Sequence, residues 1–316
     1  MSKQQKIYIA GHRGMVGSAI WRQLTAAGYT NLIGRSSAAL DLRNQAAVKA
    51  FFDEEQPAVV IDAAARVGGI MANKTFPYQF LMENLQIQNN LIESAHMSDV
   101  DKFIFLGSSC IYPKMAPQPL EEAHLLTGPL EPTNEWYAIA KITGVKACEA
   151  IRQQFNKDFV SLMPTNLYGE SDNFDLETSH VLPAMIRKFH DAKLAGQADV
   201  TLWGSGTPLR EFLYVDDLAK AVVFALENRL PQHLYNVGTG TDLSIRELAE
   251  TIQKIVGHTG RIIWDATKPD GTPRKLMDSS LLHEIGWKHE VELTEGIRHT
   301  YEWFLANQDK FKQVKL

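Results

Sequence analysis

Residues 6–17, KIYIAGHRGMVG, run from an apolar stretch into a turn that carries Gly11, Gly14 and Gly17. The chain continues as MVGSAIWRQLTAAG to residue 28, with apolar side chains at helical spacing. Strand, glycine turn and helix in that order form the opening unit of a dinucleotide-binding sheet. The spacing is GxxGxxG, one position away from the GxGxxG fingerprint, so the glycines alone are a weak signal. Their context strengthens it, because glycines let a pyrophosphate approach the backbone and the helix N-terminus offers free N–H donors. The bland counterpart is a tight structural turn.

Outward from this unit, apolar runs alternate with helical patterns: NLIG, a helix around 44–55, AVVID, a long helix around 77–97, and KFIFLG. A further helix around 135–155 leads into the strand DFVSLM. Such alternation predicts right-handed βαβ units on a parallel sheet. After Pro164 loop signals gather in NLYGESDNFD, WGSGTP, NVGTG and KPDGTP. The expected fold is α/β, a Rossmann-type doubly wound parallel sheet with a smaller C-terminal α/β substrate domain. The expected division gives residues 1–167 to the NADP-binding domain, completed by about 211–238, with REFLYVDDLAKAVVFAL and HLYNVG returning to the sheet. Residues 168–210 and 239–316 form the substrate domain.

Of the 316 residues, 37 are acidic and 32 basic, a net charge of −5 that argues against nucleic acid or an anionic membrane as the main partner. No stretch reaches the ~18 apolar residues of a membrane span. Two cysteines, Cys110 and Cys148, make no disulfide framework, and the first strand begins too early for a signal peptide to precede it. The expected location is the cytoplasm. No metal site is expected.

The end of the second strand bears on the choice of dinucleotide. An NAD site places an acid about 20 residues after the glycines to hold the ribose hydroxyls, yet NLIGRSS offers Gly34, Arg35 and Ser36. Arg35 and Arg13 suit the 2′-phosphate of NADP through charge-assisted hydrogen bonds. Asp41 could accept from the adenine amino group. The bland counterpart is a pair of solvated arginines.

Tyr137 and Lys141 in NEWYAIAK lie four apart, on one face of a helix. Ser108 stands at the C-terminal end of the fourth strand, where open α/β sheets hold ligands. A phenol with a pKa near 10 is a poor acid–base group at neutral pH, and a neighbouring ammonium is expected to bring it down. Tyr137 would then protonate a carbonyl oxygen as hydride arrives, with Ser108 donating to the same oxygen.

Glycine loop, Ser108 and Tyr137/Lys141 together resemble the extended short-chain dehydrogenase/reductase superfamily, as do REFLYVDDLAKA and NVGTG. That resemblance implies substrates of the nucleotide-diphosphate-sugar class. Within it, a 4,6-dehydratase carries an Asp-Glu pair where this chain has SCIY. A 4-epimerase would leave Cys110 unexplained and would not favour Arg35. A non-catalytic NADP sensor would need neither Tyr137 nor Lys141. A ketone at C4 acidifies the protons on C3 and C5, and inversion then needs a base and an acid on opposite faces. Cys110 can be the base if its pKa is lowered, and His180 is the candidate acid.

The blocks SSCIYPK, NEWYAIAK, MPTNLYG, DNFDLETSHVLPA, WGSGTPLREFLYVDD, NVGTG and KPDGTPRK, in order over nearly the whole chain, closely resemble the GDP-L-fucose synthase family. The resemblance implies NADPH-dependent conversion of GDP-4-dehydro-6-deoxy-D-mannose to GDP-L-fucose, by epimerisation at C3 and C5 and reduction at C4. It makes Ser108, Tyr137 and Lys141 the reductase set, Cys110 the base and His180 the acid. Implied cofactor contacts are Gly11, His12, Arg13, Gly14, Met15, Val16 and Gly17, then the segment 36–42 including Ser36, Asp41 and Leu42. Leu106, Gly107, Ser108 and Ser109 follow, with Lys141, Pro164, Thr165, Asn166, Leu167 and His180. Implied substrate contacts are Lys188, Trp203, Arg210 and Asp270, with Lys188 and Arg210 supplying charge for the diphosphate and Trp203 a face for guanine or a sugar. For Trp203 the bland counterpart is a core aromatic. Trp136, beside Tyr137, is expected to narrow the entrance. The resemblance also implies a homodimer paired through helices near 77–97 and 134–155.

Overall fold

A computed structural model describes residues 2–268 and 270–308. Its centre is a six-stranded sheet made of β1 (Ile7–Ala10), β2 (Leu32–Ile33), β3 (Val59–Asp62), β4 (Lys102–Leu106), β5 (Asp158–Pro164) and Leu234–Val237. The order is β2-β1-β3-β4-β5 and then Leu234–Val237, and every pairing is parallel. From β1 the chain moves one way to β2 and then crosses back to β3 on the other side. A crevice therefore opens at the C-terminal ends of β1 and β3, the switch point where such sheets bind ligands.

Both faces of the sheet are covered, which explains why its strands are apolar runs instead of alternating ones. On one face Ile7, Ile9, Val59, Ile61, Ile104, Val160 and Leu162 pack under helices Met15–Ala26 and Val215–Glu227. On the other, Tyr8, Val60, Phe103, Phe105, Phe159 and Met163 lie under Gln45–Glu55, Pro77–Met97 and Glu135–Phe155. Burying one such side chain stabilises the fold by about 1.5–3 kcal/mol. The doubly wound α/β fold is as the sequence predicts.

Helix Glu135–Phe155 lies unusually close to β4 because Gly144 has no side chain. A Cβ there would stand 2.3 Å from Cζ of Phe105. That close approach matters to the site, since Lys141 is one turn before it on the same helix.

The second lobe is built around Leu209–Tyr214. This strand pairs in parallel with Asn166–Tyr168 and Arg274–Lys275, and antiparallel with Asp242–Ser244. The sequence reading sent it back to the large sheet; only the following helix Val215–Glu227 and strand Leu234–Val237 go there. The reason is Glu211. Its carboxylate is fully buried and needs donors, which it finds in the N–H groups of Thr239 (2.6 Å), Gly240 (2.8 Å) and Met277 (2.9 Å). Beside this sheet, Asp199–Trp203 pairs with Arg261–Asp265, and Phe174, Ile186, Phe189, Leu248, Ile252 and Phe304 form a separate core.

Candidate active site

The glycine turn forms the floor of the crevice. Gly11 has φ +76, and a Cβ on Gly17 would stand 2.2 Å from the Gly11 carbonyl oxygen, so the turn can close only on glycine. Gly14 is the N-cap of the helix from Met15 and no side chain caps that end. Orphan N–H groups at Met15 and Val16 thus face the crevice, a fit for a pyrophosphate. His12 lies against Trp21, ring centroids 5.7 Å apart, and its buried Nδ1 has no partner. Burial, with Arg13 and Arg35, holds its pKa below the usual imidazole value. Both arginines expected at a 2′-phosphate therefore stand at one end of the turn.

Arg35 pairs with Glu55 and lies 5.5 Å over the Phe51 ring. Asp41 is engaged by Arg43, from the backbone N–H at 3.0 Å and the guanidinium at 2.9 and 2.8 Å. An adenine amino group would have to use the remaining lone pairs of that carboxylate. The carbonyl of Ser36 accepts from Ala39 and Leu40, and that of Leu42 from Asn90 at 2.8 Å, so the segment is a fixed rim.

At the end of β4 the chain passes Leu106 and Gly107 into Ser108, which caps the short 3₁₀ turn Ser109–Ile111. Ser108 Oγ accepts from the Cys110 N–H at 3.4 Å. Lys141 is buried; its ammonium donates to the Leu106 carbonyl at 2.8 Å and lies 4.7 Å from the Phe105 ring centroid and 5.9 Å from that of Tyr137. Tyr137 meets Phe80 edge-on at 6.3 Å. The sequence expectation was a phenol pKa brought down by Lys141. Instead burial pushes it up, and Cys110 and Asp62 add to the rise. Desolvation thus keeps the proton on Tyr137, the state needed to donate one.

Cys110 is buried within the 3₁₀ turn. Burial pushes its thiol up, opposed by Lys275, Ser108 and Lys141. His180 is the exposed N-cap of helix Val181–Leu194, and desolvation by the groups around its ring, with the Lys275 charge, pulls its imidazole down. One ammonium, Lys275, acts on both. Lys275 is half-buried, and it lines a cavity together with Cys110, Lys114, Glu131, Asn134 and Thr272. No role was assigned to Lys275 from sequence. Its signal was present in KPDGTPRK, but nothing local says which of four charges points inward.

Thr165 and Asn166, after β5, donate to the Glu211 carbonyl at 3.3 and 2.8 Å, and Leu167 pairs with Leu213. Pro164 and these residues thus join the two lobes beside Arg210. Burial lowers the Arg210 pKa and Asp270 opposes this. Asp270 also accepts from Ser205, N–H at 2.7 Å and Oγ at 2.8 Å, clamping the turn after Trp203. Trp203 is 56% exposed, which disposes of the core reading. Lys188 lies 5.9 Å and Lys268 5.4 Å from its ring, an aromatic face between two cations. Trp136 is exposed on the helix that carries Tyr137. Among the described residues no group of three His, Cys, Asp or Glu could hold a metal ion.

A parallel-sheet crevice fitted for a dinucleotide, with a serine, tyrosine and lysine at its mouth, defines a carbonyl-directed dinucleotide enzyme. The chain belongs to the NAD dependent epimerase/dehydratase family, whose profile matches residues 7–238, and within it to the GDP-L-fucose synthases. The GDP-L-fucose synthase 1 of Arabidopsis thaliana is 57% identical over 305 residues, covering 96% of this chain and 94% of that protein. The GDP-L-fucose synthase of Escherichia coli strain K12 is 54% identical over 322 residues, covering 99% and 100%. A solved GDP-L-fucose synthetase from Naegleria fowleri bound to NADP matches with TM-score 0.91 at 29% identity, covering 98% of this chain and 95% of that one.

Proposed function

We propose that this chain is an NADP(H)-dependent epimerase and reductase that converts GDP-4-dehydro-6-deoxy-D-mannose to GDP-L-fucose. The observation that carries the reading is that Cys110 sits in the turn capped by Ser108 and lines one cavity with the half-buried Lys275, whose charge also acts on His180. A simple C4 reductase has no use for a thiol and an imidazole gathered there. The relatives named above support the substrate.

The C4 oxygen sits between Ser108 and Tyr137. Cys110, as thiolate, removes the proton from C3 or C5, and the electron pair moves onto that oxygen, where two donors hold the enolate. One such donor is worth about 2.7–4 kcal/mol. His180 returns a proton from the opposite face, inverting the centre; the thiol then gives up its proton and the imidazole regains one through solvent, and the cycle repeats at the other carbon. NADPH, when bound in the crevice, would supply the hydride for C4. Tyr137 gives its proton to the oxygen, and Lys141 orients the ribose and stabilises the phenolate left behind. Lys188, Arg210 and Lys275 balance the diphosphate charge, with Trp203 against the base or sugar and Asp270 fixing the loop between them.

The proposed division is a cofactor lobe up to residue 165, completed by 215–238, and a substrate lobe of 166–214 and the described residues after 238. We also propose a homodimer in the cytoplasm. Helices Pro77–Met97 and Glu135–Phe155 pack side by side and expose Tyr78, Met97, Ile139 and Phe155, an apolar area suited to a second copy. Both cysteines are free, and among the described residues no helix is long and apolar enough to cross a membrane.

The test is to mix the purified protein with NADPH and the 4-keto sugar nucleotide, follow nicotinamide absorbance and identify the product by NMR. GDP-L-fucose is the expected product. An unepimerised 6-deoxy sugar would leave only the reductase half standing.

A further inference from the structure

One buried carboxylate has no part in the reaction derived above. Asp62 is 0% exposed and closes β3 at the mouth of the crevice, in register with Ala10 of β1 and Phe105 of β4. Register partners in a parallel sheet point to the same face, so Asp62 shares with Phe105 the face covered by helix Glu135–Phe155. Its Oδ1 accepts from the Ala64 N–H at 3.1 Å, while its Oδ2 is buried without a partner. An ionised carboxylate in that state needs a positive charge near it, and without one it takes up a proton.

That charge is Lys141. Its ammonium holds the Leu106 carbonyl at 2.8 Å and the Phe105 ring at 4.7 Å, and of the described residues Asp62 is the one carboxylate that acts on it. The other titratable groups facing Asp62 are the phenol of Tyr8 on β1 and, on the helix, the phenol of Tyr137 and the thiol of Cys148. None of these is a cation. Burial pulls Lys141 down and Asp62 resists; burial pushes Asp62 up to about 6 and Lys141 resists. Cys110 is the remaining group that favours a charged Lys141.

We propose that Asp62 is a positioning residue for carbonyl reduction: it keeps the Lys141 ammonium charged and seated between Leu106 and Tyr137, and so sets the pH range in which Tyr137 can deliver its proton. The catalytic part rests on the reductase reading given above. An ionised Asp62 lets Lys141 hold its proton to higher pH, so removing that charge moves the lysine's deprotonation downward. On Tyr137 burial and Cys110 raise the phenol alongside Asp62, so a change there would not isolate Asp62. Lys141 is therefore the group to observe.

The experiment is an NMR titration of protein labelled with [13C]lysine, with the Lys141 methylene resonance assigned through Lys141→Arg. In the parent protein we expect an inflection near pH 6 as Asp62 protonates, separate from deprotonation of the lysine itself. In Asp62→Asn the inflection disappears and the lysine midpoint moves down by about one pH unit or more. The alkaline limb of kcat for sugar reduction moves the same way. A Lys141 resonance in the parent that is flat across this range, or an Asn variant with the parent's midpoint, overturns the proposal. The parent titration needs no substitution, so misfolding of the variant does not shelter it. It needs no sugar either: absence of turnover overturns the functional reading, and absence of the inflection overturns this one.

Discussion

Arg35 and Glu55 are joined by an ion pair at the rim of the crevice, with Arg35 also lying over Phe51. The cation assigned to the 2′-phosphate is therefore already held by a carboxylate, which also pairs with Lys6 at 3.1 Å. A phosphate dianion arriving at Arg35 competes with Glu55. Arg35→Ala is expected to raise KM for NADPH on the order of 10–100-fold, the worth of one or two charge-assisted hydrogen bonds, and to leave KM for NADH nearly unchanged. Glu55→Gln frees the guanidinium and lowers KM for NADPH. Steady-state kinetics with both nucleotides checks this, and equal losses with NADPH and NADH would mean Arg35 only supports the loop.

The parts of this molecule that were legible in the sequence are those whose meaning is local. Gly11 to Gly17 sit within one strand–turn–helix unit, and the four-residue spacing of Tyr137 and Lys141 puts both on one helix face. What was not legible depends on residues far apart meeting in space. Lys275 reaches Cys110 across more than half the chain, and Asp62 looks like the last apolar-run residue of a strand until Lys141 is folded over it. Leu209–Tyr214 was misplaced because strand pairing is a long-range choice, decided here by donors for Glu211 that lie near Thr239 and Met277. The rise in the Tyr137 pKa is hidden for a similar reason: sequence shows the neighbouring lysine but not the burial that pushes the phenol up.

Glu211 ties three segments of the second lobe together, and its two oxygens serve different ones. Oε1 accepts from Thr239 and Gly240, Oε2 from Met277. Glu211→Gln keeps the shape but turns an NH₂ group toward one of those N–H donors. A loss of roughly 3 kcal/mol in stability is expected, from removing a buried charged acceptor and leaving donors unpaired. Calorimetry should show a lower melting temperature, together with weaker sugar-nucleotide binding because Arg210 is the adjacent residue. A melting temperature equal to the parent's would show that the hub is redundant.

Gly144 tests how finely Lys141 is placed. With a Cβ only 2.3 Å from Phe105, Gly144→Ala must lift the helix or shift the ring, and overpacking of this kind costs about 1–3 kcal/mol. Either movement disturbs the 2.8 Å bond from Lys141 to Leu106. We expect kcat for reduction to fall by about 10²-fold, as for an ångström-scale displacement of a catalytic group. Single-turnover hydride transfer measures it, and retention of full kcat would mean the helix accommodates the methyl without moving the lysine.

Cys110 and His180 divide the chemistry in a way that isotope exchange can separate. Burial pushes the thiol up and the imidazole down, so thiolate with imidazolium is a minority pairing and epimerisation should follow a bell-shaped pH profile. Lys275 holds both groups down, so Lys275→Met is expected to move the ascending limb, set by the imidazole, and the descending limb, set by the thiol, both to higher pH. Cys110→Ser should slow deuterium entry at C3 and C5 by about 10²–10⁴-fold, the contribution of a positioned general base, while NADPH binding is retained. His180→Gln should block inversion more strongly than hydride transfer. NMR of the sugar in D₂O, with cofactor binding followed by fluorescence, reads both. Equal loss of exchange and of NADPH affinity in Cys110→Ser would make the thiol a packing residue of the turn at Ser109–Ile111. The inversion at C3 and C5 would then need another base.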